Sequence, residues 1–460
     1  MTDIAEMSAT DLVEGYEKGT VTPVEATQAA LERLERHNDA VNAFILVDAE
    51  GALKEAEKSA KRWSDCKPKG PLDGVPLSIK EHIDVKGWAT RYCSPVLPDV
   101  PAEQDAPITT HFRNAGAVIL GKTATPEFCW KGCTDSALYG VSYNPWDSDK
   151  TPGGSSGGAA AACALGMGPL HVGTDGGGSV RIPAAFCGVF GLKPTQYRVP
   201  SGPGGPTAAL SQAGPLTRTV ADGALMYSVM AQPHPRDPMA LPAADMNFDL
   251  GAGVKGLKIA FWDGSRLTDI DPEIAESVAA AAKVFEELGA EVIEADPGFE
   301  NQLQTFLDFW QPVTAFYLEN ASEEALAASE PMLVRSAQKG AEIPIVRHYE
   351  ALAARGALAQ TMSAFHGQYD LLLAPTTPVP PFKAERGVYG PEGEAYKRTW
   401  TPLTFPFNLT GQPAASVPCG FTRDGLPIGL QIVGPWHAEA RILQAARAYE
   451  TVHPFKMPTI

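Results

Sequence analysis

The stretch Leu170-His-Val-Gly-Thr-Asp-Gly-Gly-Gly-Ser-Val-Arg181 begins as a short apolar run and ends as a glycine-rich turn carrying an acid, a serine and an arginine. An apolar run of that length bounded by glycine predicts a buried strand feeding a loop. Two more runs of the same kind, residues 75–79 and 117–120, lie in the same texture between Pro71 and Thr195. Together they predict a buried α/β core. Further along, a strand over 257–261, a helix over 271–288 stopped by Gly289 and a strand over 291–294 form a β-α-β unit. A last strand is expected through Leu371, Leu372 and Leu373.

Toward the N-terminus the pattern becomes helical. Thr22-Pro23-Val24-Glu25 combines an N-cap threonine, proline at the first helical position and glutamate at the third. Leu12, Tyr16, Val24, Ala30, Leu31 and Leu34 supply the apolar positions of a helical layer over about 1–65, with a second helix near 49–63. Residues of about 298–400 mix helical stretches with aromatics and the proline-rich 374–382, and are expected to be a substrate-facing elaboration on a core of about 66–297 and 401–460. With neither repeats nor a clean linker, the whole of 1–460 is expected to be one domain.

The 460 residues carry a formal net charge of −17, which argues against a nucleic-acid surface built from clustered Lys and Arg. No stretch approaches the roughly 20 apolar residues of a membrane span, and the acidic start MTDIAEMSATDL has no apolar leader, so no membrane partner and a cytoplasmic location are expected. Seven scattered cysteines favour neither a disulfide framework nor a metal site. Cys129 and Cys133 have near-ligand spacing without a second pair, so no metal and no cofactor is expected.

Two literal motif matches fail on context. Gly116-Ala-Val-Ile-Leu-Gly-Lys-Thr123 satisfies the phosphate-loop pattern, but its middle four residues read as a buried strand rather than a flexible wrap. Gly153-Gly-Ser-Ser-Gly157 satisfies the nucleophile-elbow pattern, yet the polar loop 147–152 precedes it where a strand is required.

What remains is Lys80 within an apolar strand, Gly153-Gly-Ser-Ser-Gly-Gly158, and Gly173-Thr-Asp-Gly-Gly-Gly-Ser-Val-Arg181. With Gly74-Val-Pro-Leu-Ser-Ile-Lys80, Gly121-Lys-Thr-Ala-Thr-Pro-Glu-Phe128, Cys187-Gly-Val-Phe-Gly-Leu-Lys-Pro194 and Gly214-Pro-Leu-Thr-Arg-Thr-Val-Ala-Asp222, the chain resembles the amidase signature family. The likeness continues weakly to Asn408-Leu-Thr-Gly-Gln-Pro413 and 425–431. The resemblance implies a single large α/β/α sandwich with a central mixed β-sheet covered by helices. It also implies a Ser-Ser-Lys triad: Ser179 as nucleophile, Ser155 as the bridging serine after a cis Gly154-Ser155 bond, and Lys80 as base.

The residue types agree with those roles. A serine hydroxyl attacks only if its proton is taken, and with no histidine expected beside either glycine-rich loop, Lys80 is the candidate base. An apolar setting of Val75, Pro76, Leu77 and Ile79 is expected to lower its pKa. Gly176, Gly177 and Gly178 lack side chains, so with the Ser179 N–H their amides are the expected oxyanion hole. Ser156 is expected to support Lys80, and Asp175 and Arg181 to orient the loop.

The family includes hydrolases of aryl, alkyl and fatty amides and carbamates (urethanase activity), and the glutamine-hydrolysing subunit of the tRNA-dependent amidotransferase. The glutaminase branch usually places an acid shortly before the position of Asn408, where this chain has Thr399-Trp400-Thr401. Phe128, Trp130, Trp310 and Trp400 are the candidate pocket aromatics, with Phe309 and Phe316 nearby. The preferred expectation is therefore an aryl acylamidase or carbamate-cleaving enzyme, monomeric or homodimeric, acting on a small amide. The alternative is an amidotransferase component that works only with partner chains.

Overall fold

The computed structural model describes residues 3–202, 205–384 and 400–458. Eleven strands make one mixed sheet in the order Phe44–Val47, Val118–Thr123, Pro76–Lys80, Leu170–Asp175, Gln212–Thr217, Phe190–Lys193, Ala414–Phe421, Pro427–Val433, Leu371–Pro375, Lys258–Phe261 and Glu291–Glu294. Val118–Thr123, Pro76–Lys80 and Leu170–Asp175 run parallel. Both Lys80 and Asp175 therefore end their strands at the same edge, outside the carboxyl ends of parallel strands where α/β folds place their sites. Helices cover the sheet, as expected of an α/β/α architecture.

Local chemistry explains the element boundaries. The helix Pro23–Val41 opens on a capping box between Thr22 and Glu25 and closes where Asn42 turns left-handed. Pro272–Glu287 opens after Asp271, and Gly289 takes a φ of 93° where a side chain would be strained. The strand Leu170–Asp175 is buried throughout, and its apolar Leu170 and Val172 join the main core with Leu77 and Ile79.

Two boundary expectations need correction. The N-terminal layer is not purely helical, because Phe44–Val47 pairs antiparallel with Val118–Thr123 as the edge strand of the sheet. Within the described part of 298–400, the strand expected through Leu371, Leu372 and Leu373 belongs to the core sheet, so that stretch is not part of the elaboration. Its helices Leu303–Leu318, Glu323–Ala328, Pro331–Ala341 and Ile345–His366 lie outside the sheet, but Leu371–Pro375 sits within it, between Pro427–Val433 and Lys258–Phe261.

The contexts of the two rejected motifs agree with their rejection. Residues 118–123 form a buried strand, and Lys122 Nζ donates to Glu81 O, Ala89 O and Thr90 Oγ1, each at 2.8 Å. Gly153 follows a loop, not a strand. Cys129 lies by His82 and Thr125, while the Cys133 thiol is buried elsewhere and pushed up to about 12 by that burial. Among the described residues no group of three or more His, Cys, Asp or Glu is placed to hold a metal ion, and no helix is long and apolar enough to cross a membrane.

Candidate active site

The strand Pro76–Lys80 delivers Lys80 into a fully buried position, and the loop before the helix Gly157–Ala164 delivers the paired serines beneath it. Lys80 Nζ lies within hydrogen-bond distance of Ser155 Oγ at 2.7 Å, Ser156 Oγ at 2.9 Å and Thr174 Oγ1 at 3.1 Å. All three partners are hydroxyls, so no carboxylate touches the amine. Burial therefore dominates, and it pushes Lys80 below the ordinary lysine range against the opposing pull of Cys129 and Asp175.

The Gly154-Ser155 peptide is cis. Gly154 must be glycine for a separate reason: a Cβ there would meet the Cys133 backbone at 2.6 Å. Ser156 is doubly engaged by Thr174, accepting its N–H and donating to its carbonyl, both at 3.2 Å. The Ser156 N–H in turn donates to Ser179 O at 3.2 Å, which ties the two glycine-rich loops together.

The loop carrying Ser179 is wound around one carboxylate. Asp175 Oδ1 accepts the Gly178 N–H at 2.7 Å, and Oδ2 accepts Val180 N–H at 3.2 Å. Arg181 Nε and Nη2 reach the two carboxylate oxygens at 2.9 Å each, with neither side chain exposed. Arg181 also donates to Thr404 O, Gln431 Oε1 and Asn408 Oδ1, while Asn408 Nδ2 donates back to Asp175 at 2.9 Å. Burial alone would raise Asp175, but the Arg181 guanidinium holds its carboxyl well below the usual range.

This arrangement corrects one of the four expected oxyanion donors. The Gly178 N–H is consumed by Asp175, whereas those of Gly176, Gly177 and Ser179 carry no bond to another described residue. It also corrects the histidine reading. His171 lies two residues before the glycine segment, but its ring is occupied by Ser78 Oγ at 2.8 Å and Gly168 O at 3.0 Å, and burial lowers it to about 3. His82 is the histidine that comes near Lys80, through Thr174.

Ser179 keeps 9% of its surface where Lys80 keeps none, and it opens into a narrow pocket. Cys129, Trp130, Lys131, Gly132, Gly177, Ile182, Phe306, Trp310 and Thr401 complete the lining. Trp130 and Trp310 are among the residues lining this pocket, and Trp310 Nε1 donates to Trp130 O at 2.9 Å. Phe128 and Trp400 are not. Phe128 stacks on Tyr317 at 4.9 Å, and Trp400 stacks on Phe186 at 5.9 Å, both inside a buried cluster. Phe309 lies in a separate core and Phe316 is exposed. Thr399 lies outside the described residues.

Phe306 is a pocket residue that the sequence reading does not single out, although its i,i+4 spacing to Trp310 on Leu303–Leu318 puts both rings on one helix face. Lys131 is another: its Nζ is buried between Asp135 Oδ2 at 2.7 Å and Glu330 Oε1 at 2.8 Å.

The chain is similar to known proteins over nearly its whole length. The profile of the Amidase family matches residues 25–443. The chain is 35% identical to an acylamidase of Rhodococcus erythropolis over 98% of its own length and 96% of the relative's. It is equally 35% identical to a glutamyl-tRNA(Gln) amidotransferase subunit of Alkaliphilus metalliredigens (strain QYMF), over 97% and 96%. Among solved structures, a bacterial aryl acylamidase of the amidase signature enzymes superposes with a TM-score of 0.90 at 29% identity, covering 97% of this chain and 96% of that one.

Proposed function

The chain belongs to the amidase signature family of amide-hydrolysing enzymes, and we propose that it cleaves aryl or alkyl amides, carbamates included, through an acyl-enzyme on Ser179. The observation that carries the reading is the buried Lys80 amine, 2.7 Å from Ser155 Oγ and hydrogen-bonded to hydroxyls. A buried lysine without a carboxylate favours its neutral form, and a neutral amine accepts a proton.

In this mechanism Ser155 passes its proton to Lys80 Nζ and takes the Ser179 proton as Ser179 Oγ bonds to the substrate carbonyl carbon. The tetrahedral oxyanion is held by the N–H groups of Gly176, Gly177 and Ser179, each such donor supplying roughly 3–4 kcal/mol. The C–N bond breaks as the leaving amine receives the proton back through Ser155. Water then attacks the ester carbon, with its proton following the same route, and the carboxylic acid departs from a restored Ser179. Asp175 and Arg181 hold the loop and take no part in proton transfer.

The substrate side of the proposal rests on the aromatic walls Trp130, Phe306 and Trp310. A second reading, the glutaminase component of an amidotransferase, is favoured by the equal identity to relatives of that kind. Against it, none of the described residues lining the pocket is acidic, where the glutamine ammonium would need an acid. Rates on a panel of anilides, aliphatic amides, carbamates and glutamine, with Ser179→Ala as control, separate the two. Anilide turnover by the isolated chain supports the proposal, and turnover of glutamine alone overturns its substrate class.

A further inference from the structure

The reaction as proposed leaves His82 unused, yet its ring is one hydroxyl away from Lys80. Its Nε2 lies 3.3 Å from Thr174 Oγ1, and its Nδ1 lies 3.4 Å from Cys129 Sγ. These contacts decide where the protons around the amine point.

A neutral lysine amine has two N–H bonds to donate and one lone pair to accept with. Ser156 is settled first. Its oxygen accepts the Thr174 N–H, which only donates, and its hydrogen goes to the Thr174 carbonyl, which only accepts. Toward Lys80 it can therefore only accept. Thr174 Oγ1 has two neighbours, Lys80 Nζ at 3.1 Å and His82 Nε2 at 3.3 Å. Burial keeps His82 neutral, lowering it to about 3, so one ring nitrogen carries a hydrogen and the other accepts. With the hydrogen on Nδ1, facing the Cys129 sulfur, Nε2 takes the Thr174 proton and Thr174 Oγ1 accepts from Lys80. Both amine hydrogens are then committed, to Ser156 and Thr174. The lone pair is left facing Ser155, the remaining hydroxyl within reach at 2.7 Å.

We propose that His82 is a positioning residue, which holds the Thr174 proton away from Lys80 so that Ser155 is the single proton source for the base. In the other tautomer, with the hydrogen on Nε2, the Thr174 proton has no acceptor except the lysine lone pair, and it competes there with Ser155. Cys129 selects the first when its S–H is donated to Thr125 Oγ1 at 3.1 Å, which leaves the sulfur to accept from Nδ1. The inference rests on Lys80 being the base, and its test keeps the two claims apart.

His82→Leu is expected to lower kcat on an anilide about tenfold with KM unchanged, a modest share of what a general base contributes. His82→Gln, which retains an acceptor, recovers kcat to within about threefold of the native enzyme. The discriminating arm is the Thr174→Val background, where the competing hydroxyl is gone and His82→Leu costs nothing further. His82→Phe, which keeps a ring in place without an acceptor, follows the same pattern in kcat and serves if His82→Leu does not fold. An equal loss in both backgrounds, or a loss confined to KM, overturns the positioning role. Lys80→Met measured alongside isolates the premise: activity surviving that change defeats the base assignment itself, whatever His82 does.

Discussion

The loop of residues 173–181 and the helix Leu303–Leu318 face each other across the same pocket, and they are built on opposite principles. The loop is held by hydrogen bonds and one buried ion pair, in which Asp175, Arg181 and Asn408 satisfy one another and the Gly178 N–H. The helix is held by apolar packing, with Phe306 stacked on Trp310 at 5.4 Å and on Phe405 at 4.9 Å. Where buried charge and backbone polarity must be satisfied, few residues serve. Where only apolar volume is needed, many do. The loop is thus suited to hold the chemistry and the wall to hold the substrate preference.

The largest test of that division is Lys80→Met. It is expected to cut kcat by about 10³-fold or more while leaving thermal stability unchanged or higher, because an apolar chain of similar length replaces a buried amine. In the native enzyme kcat/KM should fall as pH drops through the lowered Lys80 pKa, since protonation removes the base and burial favours the neutral form at higher pH. A pH profile with no acid limb assignable below the ordinary lysine range would move the base elsewhere.

Asp175→Ala follows in size. It leaves Arg181 buried without its carboxylate, and denaturant unfolding should show a loss of about 3–5 kcal/mol. An unchanged midpoint would mean that the loop is held by something other than this pair.

Next is Gly177→Ala, made at the seam between the two regions. Its Cβ would meet the Phe306 ring at 2.8 Å, and the ring is pinned between Trp310 and Phe405. Overpacking of this kind costs about 1–3 kcal/mol in denaturant unfolding, and Phe306→Leu in the same chain should recover part of the lost stability. The smallest effect is expected on the wall alone. Trp310→Ala should raise KM for an anilide about tenfold while changing KM for a small aliphatic amide little. Equal losses on both substrates would remove the aromatic wall from the account of specificity.

The same contrast explains how much could be read from the residues alone. Strand and helix positions followed from apolar runs and caps, as at 170–172 and Thr22-Pro23, because those signals are local. The contacts of Lys80 with Ser155 and Ser156 span 75 and 76 residues, so no local pattern joins them and only the family resemblance points to the set. His82, Thr174 and Cys129 were not legible as a chain, because their contacts span 92 and 47 residues and depend on strand register. Phe44–Val47 merges into a helical layer on sequence grounds, since four residues between two helices carry no periodicity. Phe128 and Trp400 failed as pocket residues for a simpler reason. An aromatic side chain has the same signature in a core as in a pocket, and only its neighbours tell them apart.

The central claim, an acyl-enzyme on Ser179, is open to direct measurement by incubating the protein with a slowly turned-over aryl carbamate, quenching in acid and locating the added mass by peptide mapping. On an O-aryl carbamate the C–O bond breaks and the phenol leaves with the proton from Ser155, so the mechanism predicts one carbamoyl group on Ser179 in the native protein and none in Ser179→Ala. A label on Ser155 or on the pocket thiol of Cys129, or turnover that persists in Ser179→Ala, would contradict it.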